Sequence, residues 1–199
     1  MTMDIQKILN HSIELLELRG ENVDSFKTKL EEIDKNRFYN EVIYVSTKNI
    51  TLIYAFSKES FKEVWANLKP MDISNIEKLY STKKIIMVLH EYPPSITLQA
   101  IIQKDLNMQQ QNGYIQIFLM KELMYNPMKH EFVPKHKKMS EEDAKMLIET
   151  MQLKSKNQLP LIQKQDIIAR WLGLYPGDIV KITRYTETSG KYYYYRCCV

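Results

Sequence analysis

Apolar residues recur at helical spacing between Asp4 and Arg19, where Ile5, Ile8, Leu9 and Leu16 share a face and Gly20 offers a C-terminal stop. Asp24 is placed to cap a second, short helix with Phe26, Leu30 and Ile33 on its inner side. The period then changes. Residues 42–45 and 50–56 are β-rich runs joined by Thr47-Lys48-Asn49, which predicts a hairpin. Ser60 and Glu63 have capping-box spacing, with Phe61, Val64, Trp65 and Leu68 as the buried stripe of the helix that Pro70 ends. A weaker helix follows around Ile73, Ile76 and Leu79. Residues 84–90 contain the uninterrupted apolar run IIMVL, the pattern of a strand covered on both faces. The loop Glu91-Tyr92-Pro93-Pro94-Ser95 leads into a helix bearing Ile96, Ala100, Ile101 and Leu106. Asn112-Gly113 turns the chain into a second strand over 114–120. Strand, helix and strand with short connections predict a βαβ unit with parallel strands.

The character changes after Asn126-Pro127. Ser140 and Asp143 open a helix whose inner face offers Met146, Leu147 and Met151. Asp166 is placed to cap a short helix over 167–172, and Gly173 to close it. Tyr175-Pro176-Gly177-Asp178 has Pro and then Gly at its centre, as a type II turn requires. Residues 179–184 and 191–196 alternate as strands around a Thr188-Ser189-Gly190 turn. The expected architecture is an α/β domain over 1–125 and a small α+β domain over 126–199.

Charge supports that division. Of 28 Lys+Arg and 24 Asp+Glu, residues 130–199 hold 12 and 8, so this stretch carries the whole net charge of +4 and residues 1–129 are balanced. A net +4 does not argue for nucleic acid by itself, since counterion release needs many clustered cations. Hydrophobic residues make up 44%, enough to build a core. The two cysteines, Cys197 and Cys198, are adjacent, which excludes a disulfide framework and fits reduced thiols in an intracellular compartment. No apolar run approaches the ~20 residues of a membrane span. Asp4 and Lys7 interrupt the first apolar residues, so the N-terminus does not read as a signal peptide. We expect a soluble, intracellular protein.

Candidate chemistry is sparse. His130 and His136 are six positions apart, and the consecutive cysteines would point to opposite faces of a strand, so the spacing does not suit one zinc ion. Histidines bonding backbone around a turn explain the pair more simply. Five glycines form no phosphate-cradling loop, there is no Gly-x-Ser-x-Gly, and no base accompanies Cys197. No cofactor is expected. In the run Tyr192–Tyr195, alternation sends Tyr192 and Tyr194 to one face, Tyr193 and Tyr195 to the other. Two readings follow. In one, a pair fills a core while the other sits half exposed. In the other, the outward pair joins Arg184, Lys191 and Arg196 in a docking patch, because Tyr and Arg concentrate at interface centres.

The order of blocks from His130 to the end is specific: HEFVPKH, SEEDAKMLIE, NQLP, D-x-x-AR-x-LGL-x-PGD-x-VKI-x-R and ETSGKYYYYR. This stretch resembles the assembly domain of a small shared subunit of multisubunit RNA polymerases, present in archaea as little more than that domain and in eukaryotes as the fifth subunit. His130, Val133, Pro134 and His136 match its entry motif, and Gln158, Leu159 and Pro160 the segment before the short helix. Asp166, Ala169, Arg170, Gly173, Gly177, Val180, Lys181 and Arg184 match the central block. Glu187, Thr188, Gly190, Tyr195 and Arg196 match the hairpin. Ile167 departs from the family's usual proline, a preference at the first helical turn and not a requirement.

The resemblance implies a non-catalytic subunit. Its C-terminal domain would dock on the largest polymerase subunit, with His136, Arg170, Lys181, Arg184, Lys191, Tyr195 and Arg196 as docking candidates. Its N-terminal domain would have a fold similar to restriction endonucleases, with a mixed sheet, and form part of the jaw over downstream duplex DNA. The sheet candidates hold no acidic residue to bind the metal of a nuclease, so a divergent metal-dependent nuclease is the lesser reading. A polymerase-binding transcription regulator is another alternative. In the eukaryotic subunit a Thr-Pro-Ser-Ala loop approaches DNA, and Tyr92, Pro93, Pro94 and Ser95 occupy the matching step, with Ser95 either capping the helix or lying near phosphate. The eukaryote-like layout combined with a partly archaeal entry motif resembles a homologue carried by a large cytoplasmic DNA virus. That origin would place the chain in host cytoplasm, with the virion as a further location; a cellular origin would place it in the nucleus.

Overall fold

A computed structural model describes residues 4–188 and 190–199, and the chain divides into two compact units, Met1–Tyr125 and Asn126–Val199. Ser189, in the expected hairpin turn, lies outside the described residues, as do Met1, Thr2 and Met3. Both units are mixed α/β structures, each built on a four-stranded sheet. Among the described residues no helix is long and apolar enough to cross a membrane.

In the first unit, α1 (Ile5–Leu18), α2 (Asp24–Glu31) and α3 (Arg37–Asn40) precede the hairpin of β1 (Ile43–Ser46) and β2 (Ile50–Ala55). Helices α4 (Lys58–Leu68) and α5 (Ile73–Tyr80) connect β2 to β3 (Lys84–Leu89), and α6 (Ser95–Gln109) connects β3 to β4 (Tyr114–Leu119). Strands β2, β3 and β4 run parallel and β1 runs antiparallel at the edge, as the βαβ and hairpin patterns require. Every residue of β2 is buried and β3 nearly so, because helices cover both faces. Ile53, Ile85, Met87 and Ile115 pack against Val64, Leu68, Ile76, Ile101 and Met108 of α4, α5 and α6. On the other face Phe38 of α3 meets Tyr54 edge-on at 5.3 Å, and Arg19 after α1 donates to the Tyr114 hydroxyl and to Gln116 Oε1 at 2.6 Å. Gly113 leaves room that a side chain would fill: a Cβ there would lie 2.7 Å from the Lys83 carbonyl oxygen.

Several expected positions are corrected. The cap of α4 is Ser57, whose Oγ accepts the Ser60 N–H at 3.0 Å; the helix therefore starts one turn earlier, and Ser60 is buried inside it. Asp24 is the first helical residue rather than a cap, and its own N–H donates to Asn22 Oδ1. Leu79 is exposed and Tyr80 takes the inward position on α5. The inner stripe of α6 is Ile101, Asp105 and Met108; Ile96 and Leu106 face solvent.

In the second unit, β5 (Lys135–Lys138), β7 (Ile179–Thr186), β8 (Gly190–Cys198) and β6 (Leu161–Ile162) lie in that spatial order. All pairings are antiparallel except β6 with β8. Helix α7 (Glu141–Thr150) covers one end of one sheet face through Ala144, with Leu147 and Ile148 packed alongside; the expected Met146 and Met151 are exposed. Helix α8 (Ile167–Leu172) covers the other face with Ile168, Ala169 and Leu172 against Val180 and Ile182. Asp166 caps α8, accepting the Ile168 N–H at 2.8 Å, and Gly173 closes it with φ +63°. Asp178 N–H donates to the Tyr175 carbonyl across the Pro176-Gly177 turn.

Candidate docking and DNA-proximal sites

The central hairpin of the second unit decides where its candidate residues point. In the β7–β8 register Lys181 lies opposite Tyr195, Thr183 opposite Tyr193 and Tyr185 opposite Lys191. These share a face, since directly paired residues project together. Val180, Ile182, Arg184, Tyr192, Tyr194 and Arg196 occupy the reverse. The docking candidates are therefore not brought into one patch. Lys181, Lys191 and Tyr195 lie on one face; His136, paired with Ile182, lies with Arg184 and Arg196 on the other. Arg170 belongs to α8, which packs on that second face.

Both faces combine cations with tyrosine, but differently. On the first, the Lys181 ammonium stands 3.7 Å from the Tyr193 ring centroid and Lys191 stands 5.6 Å from it. On the second, Arg184 and Arg196 flank Tyr194 at 5.0 and 5.8 Å, and Arg196 Nη1 also donates to the Leu161 carbonyl. Tyr194 packs on the core beneath α8, and Tyr195 on the core beneath α7. Each face thus takes one tyrosine into its core margin, while Tyr193 and Tyr185 remain exposed.

His136 Nδ1 donates to the Pro134 carbonyl at 2.6 Å, and His130 Nδ1 accepts the Phe132 N–H at 3.3 Å. Both rings serve the local backbone. Burial holds the His136 pKa below its ordinary value; the Pro134 bond and Asp166 pull it up, while Arg184 and Arg196 push it down. Cys197 and Cys198 are buried in different cores on opposite faces. Burial raises both thiols, Cys198 to about 11, which disfavours a metal-ligating thiolate. Among the described residues no His, Cys, Asp and Glu group is arranged to hold a metal ion.

In the first unit, Tyr92, Pro93 and Pro94 line a cavity of about 650 Å³ with Phe56, Phe61 and Trp65. It opens where the parallel strands β2 and β3 end and α4 and α6 begin, the usual place for a crevice in such a sheet. Ser95 is not the cap: Pro94 occupies that position, Ser95 is the first helical residue, and no side chain caps α6. Strands β1 to β4 carry no carboxylate, so the sheet lacks ligands for a nuclease metal. The buried carboxylate of this unit is Asp105 on α6, which accepts the Ile115 N–H at 3.0 Å and the Gln109 amide at 2.6 Å. It serves helix-to-sheet attachment. The apolar pattern misses it because a polar residue on a helix reads as solvent-facing.

Comparison with known families matches residues 125–198 to a model described as RNA polymerase Rpb5, C-terminal domain. A subunit rpabc1 of DNA-directed RNA polymerases I, II and III from Dictyostelium discoideum is 30% identical over 172 residues, 81% of this chain and 84% of that protein. The chain belongs to the Rpb5 family. RPABC1 subunits from Caenorhabditis elegans and Caenorhabditis briggsae are 46% identical over 82 residues, which is 41% of this chain and 38% of theirs. The Rpb5 model coincides with the second compact unit and contains all the blocks from His130 to Arg196. The longer Dictyostelium alignment necessarily enters the first unit as well, since 172 residues exceed the length of the second.

Proposed function

We propose that this Rpb5-family chain is a non-catalytic structural subunit of a DNA-directed RNA polymerase. The match that spans four-fifths of the chain and of its Dictyostelium relative carries the reading. In this reading residues 126–199 dock on the largest subunit and residues 1–125 form part of the jaw over downstream duplex DNA. In this reading the four-stranded mixed sheet of the first unit belongs to the restriction-endonuclease-like fold that the resemblance implies, and its carboxylate-free strands favour a support role over hydrolysis. Tyr92, Pro93, Pro94 and Ser95 approach the DNA backbone, where phosphate contact would position the duplex without reading sequence. A homologue carried by a large cytoplasmic DNA virus fits the layout, with the chain then residing in host cytoplasm and virions.

The test is purification through a tag on the full chain from cells holding its cognate polymerase. The two largest subunits should co-elute in one-to-one ratio and withstand repeated washing. Substoichiometric, reversible recovery would favour the transcription regulator. In the assembled enzyme Ser95→Asp should weaken crosslinking of the jaw to downstream DNA, because it adds negative charge beside phosphate; unchanged crosslinking and elongation would remove the loop from the DNA path.

A further inference from the structure

Lys137 and Lys181 stand directly opposite each other in the antiparallel pairing of β5 with β7. Like charges at directly paired positions are destabilising, because side chains there are only ~5 Å apart at Cβ. The same face carries Lys135 on β5 and Lys191 on β8, both exposed. Its remaining strand positions are Leu161, Ile179, Thr183, Tyr185, Tyr193, Tyr195 and Cys197, so no strand residue of this face is acidic. Lys137 and Lys181 open onto a groove of about 330 Å³ beside α7, lined also by Met139, Met146 and Leu147, where Asp143 is the single carboxylate. On the reverse face the guanidinium of Arg196 is tied to the Leu161 carbonyl and both arginines flank Tyr194.

We infer that the face of Lys135, Lys137, Lys181 and Lys191 docks an acidic segment of a partner protein, with Tyr185, Tyr193 and the adjoining methionine groove as its apolar contacts. The inference rests on the subunit reading above and selects one of its two candidate faces. Four ammonium groups with no strand carboxylate demand anionic complement, and a partner carboxylate set between Lys137 and Lys181 converts a repulsion into two attractions. A nucleic acid strand fits less well. The unit's excess of cations is small for counterion release along a phosphate backbone, and the Lys181 ammonium already stands over Tyr193 at 3.7 Å, which leaves Tyr185 as the more open ring.

The experiment compares full-length wild type with Lys137→Glu/Lys181→Glu/Lys191→Glu, with the same triple change to Gln, and with Lys145→Glu/Lys154→Glu as a charge control in the same unit. Each is tested for recovery of the cognate polymerase, for salt dependence, and for zero-length carbodiimide crosslinks between lysine and carboxylate. The Glu triple should weaken recovery about 10- to 100-fold, the scale of three ion pairs turned to repulsions, and the Gln triple less. The control should bind like wild type, and crosslinks should join Lys137, Lys181 or Lys191 to partner Asp or Glu. Lys137→Gln alone should hold or raise the melting temperature of the free chain while weakening recovery, a split that a merely structural lysine would not show. Wild-type recovery with undiminished recovery of both triples overturns the chosen face and leaves the subunit reading intact. Failure of wild type to recover polymerase overturns both. Loss of oligonucleotide binding by the Glu triple, with polymerase recovery preserved, overturns the acidic-protein partner in favour of nucleic acid.

Discussion

Asp105 holds α6 to β4 by accepting the Ile115 N–H inside the first unit. Asp105→Ala strands that donor away from water, and the unfolding free energy should fall by about 1–3 kcal/mol in urea titration. Asp105→Asn keeps an oxygen acceptor and should lose less. His136 gives the second unit an acid sensitivity. Its folded pKa lies below the unfolded value of about 6.5, so its contribution is fully present above that pH and is lost as pH falls through the folded pKa. Melting temperature followed from pH 7.5 downward should decline below about 6.5, and His136→Gln should flatten that part of the slope. Cys197 and Cys198 should resist iodoacetamide in the native chain and react fully in denaturant, because burial and a raised pKa keep both thiols protonated at neutral pH. These residues are unequally legible in the sequence. The opposed faces of Cys197 and Cys198 follow from strand alternation, and the backbone roles of His130 and His136 from their unsuitable metal spacing. Asp105 is hidden because burial of a lone carboxylate depends on a donor ten residues away.

Strands and turns of the first unit are readable because their burial is extreme. The IIMVL run and the 114–120 run become parallel β3 and β4, and Asn112-Gly113 turns the chain into the second of them. Gly113→Ala should destabilise this turn measurably in thermal melts, since its Cβ would collide with the Lys83 backbone oxygen; Gly20→Ala meets no atom and should suffer only from its positive φ. Helix starts are less readable. Ser57 and Ser60 are both plausible caps by type, and Ser57 prevails because its extended backbone lets its hydroxyl reach the Ser60 N–H. Strand β5 has no apolar signal at all: Lys135, His136, Lys137 and Lys138 form a strand because β7 offers an edge, so tertiary pairing rather than propensity defines it. That strand brings Lys137 against Lys181, which the linear sequence does not disclose.

At the scale of the whole molecule, the two units divide the work that the family resemblance assigns. The second carries the excess positive charge and the match to the Rpb5 C-terminal domain, and the proposed function gives attachment to it; the first carries the crevice at Tyr92–Pro94 and the acid-free sheet. Family membership is legible because the ordered blocks after His130 combine fold requirements, such as the Asp166 cap and Gly173, with surface residues that the fold alone does not demand. The orientation of those surface residues is not, because face assignment needs the register of β5, β7 and β8. The most direct measurement is the subunit ratio in polymerase assembled with a chain truncated to residues 126–199. The account predicts one truncated chain per largest subunit, with crosslinking to downstream DNA diminished. Absence of the truncated chain from the assembled enzyme, together with stoichiometric entry of residues 1–125 alone, would contradict it.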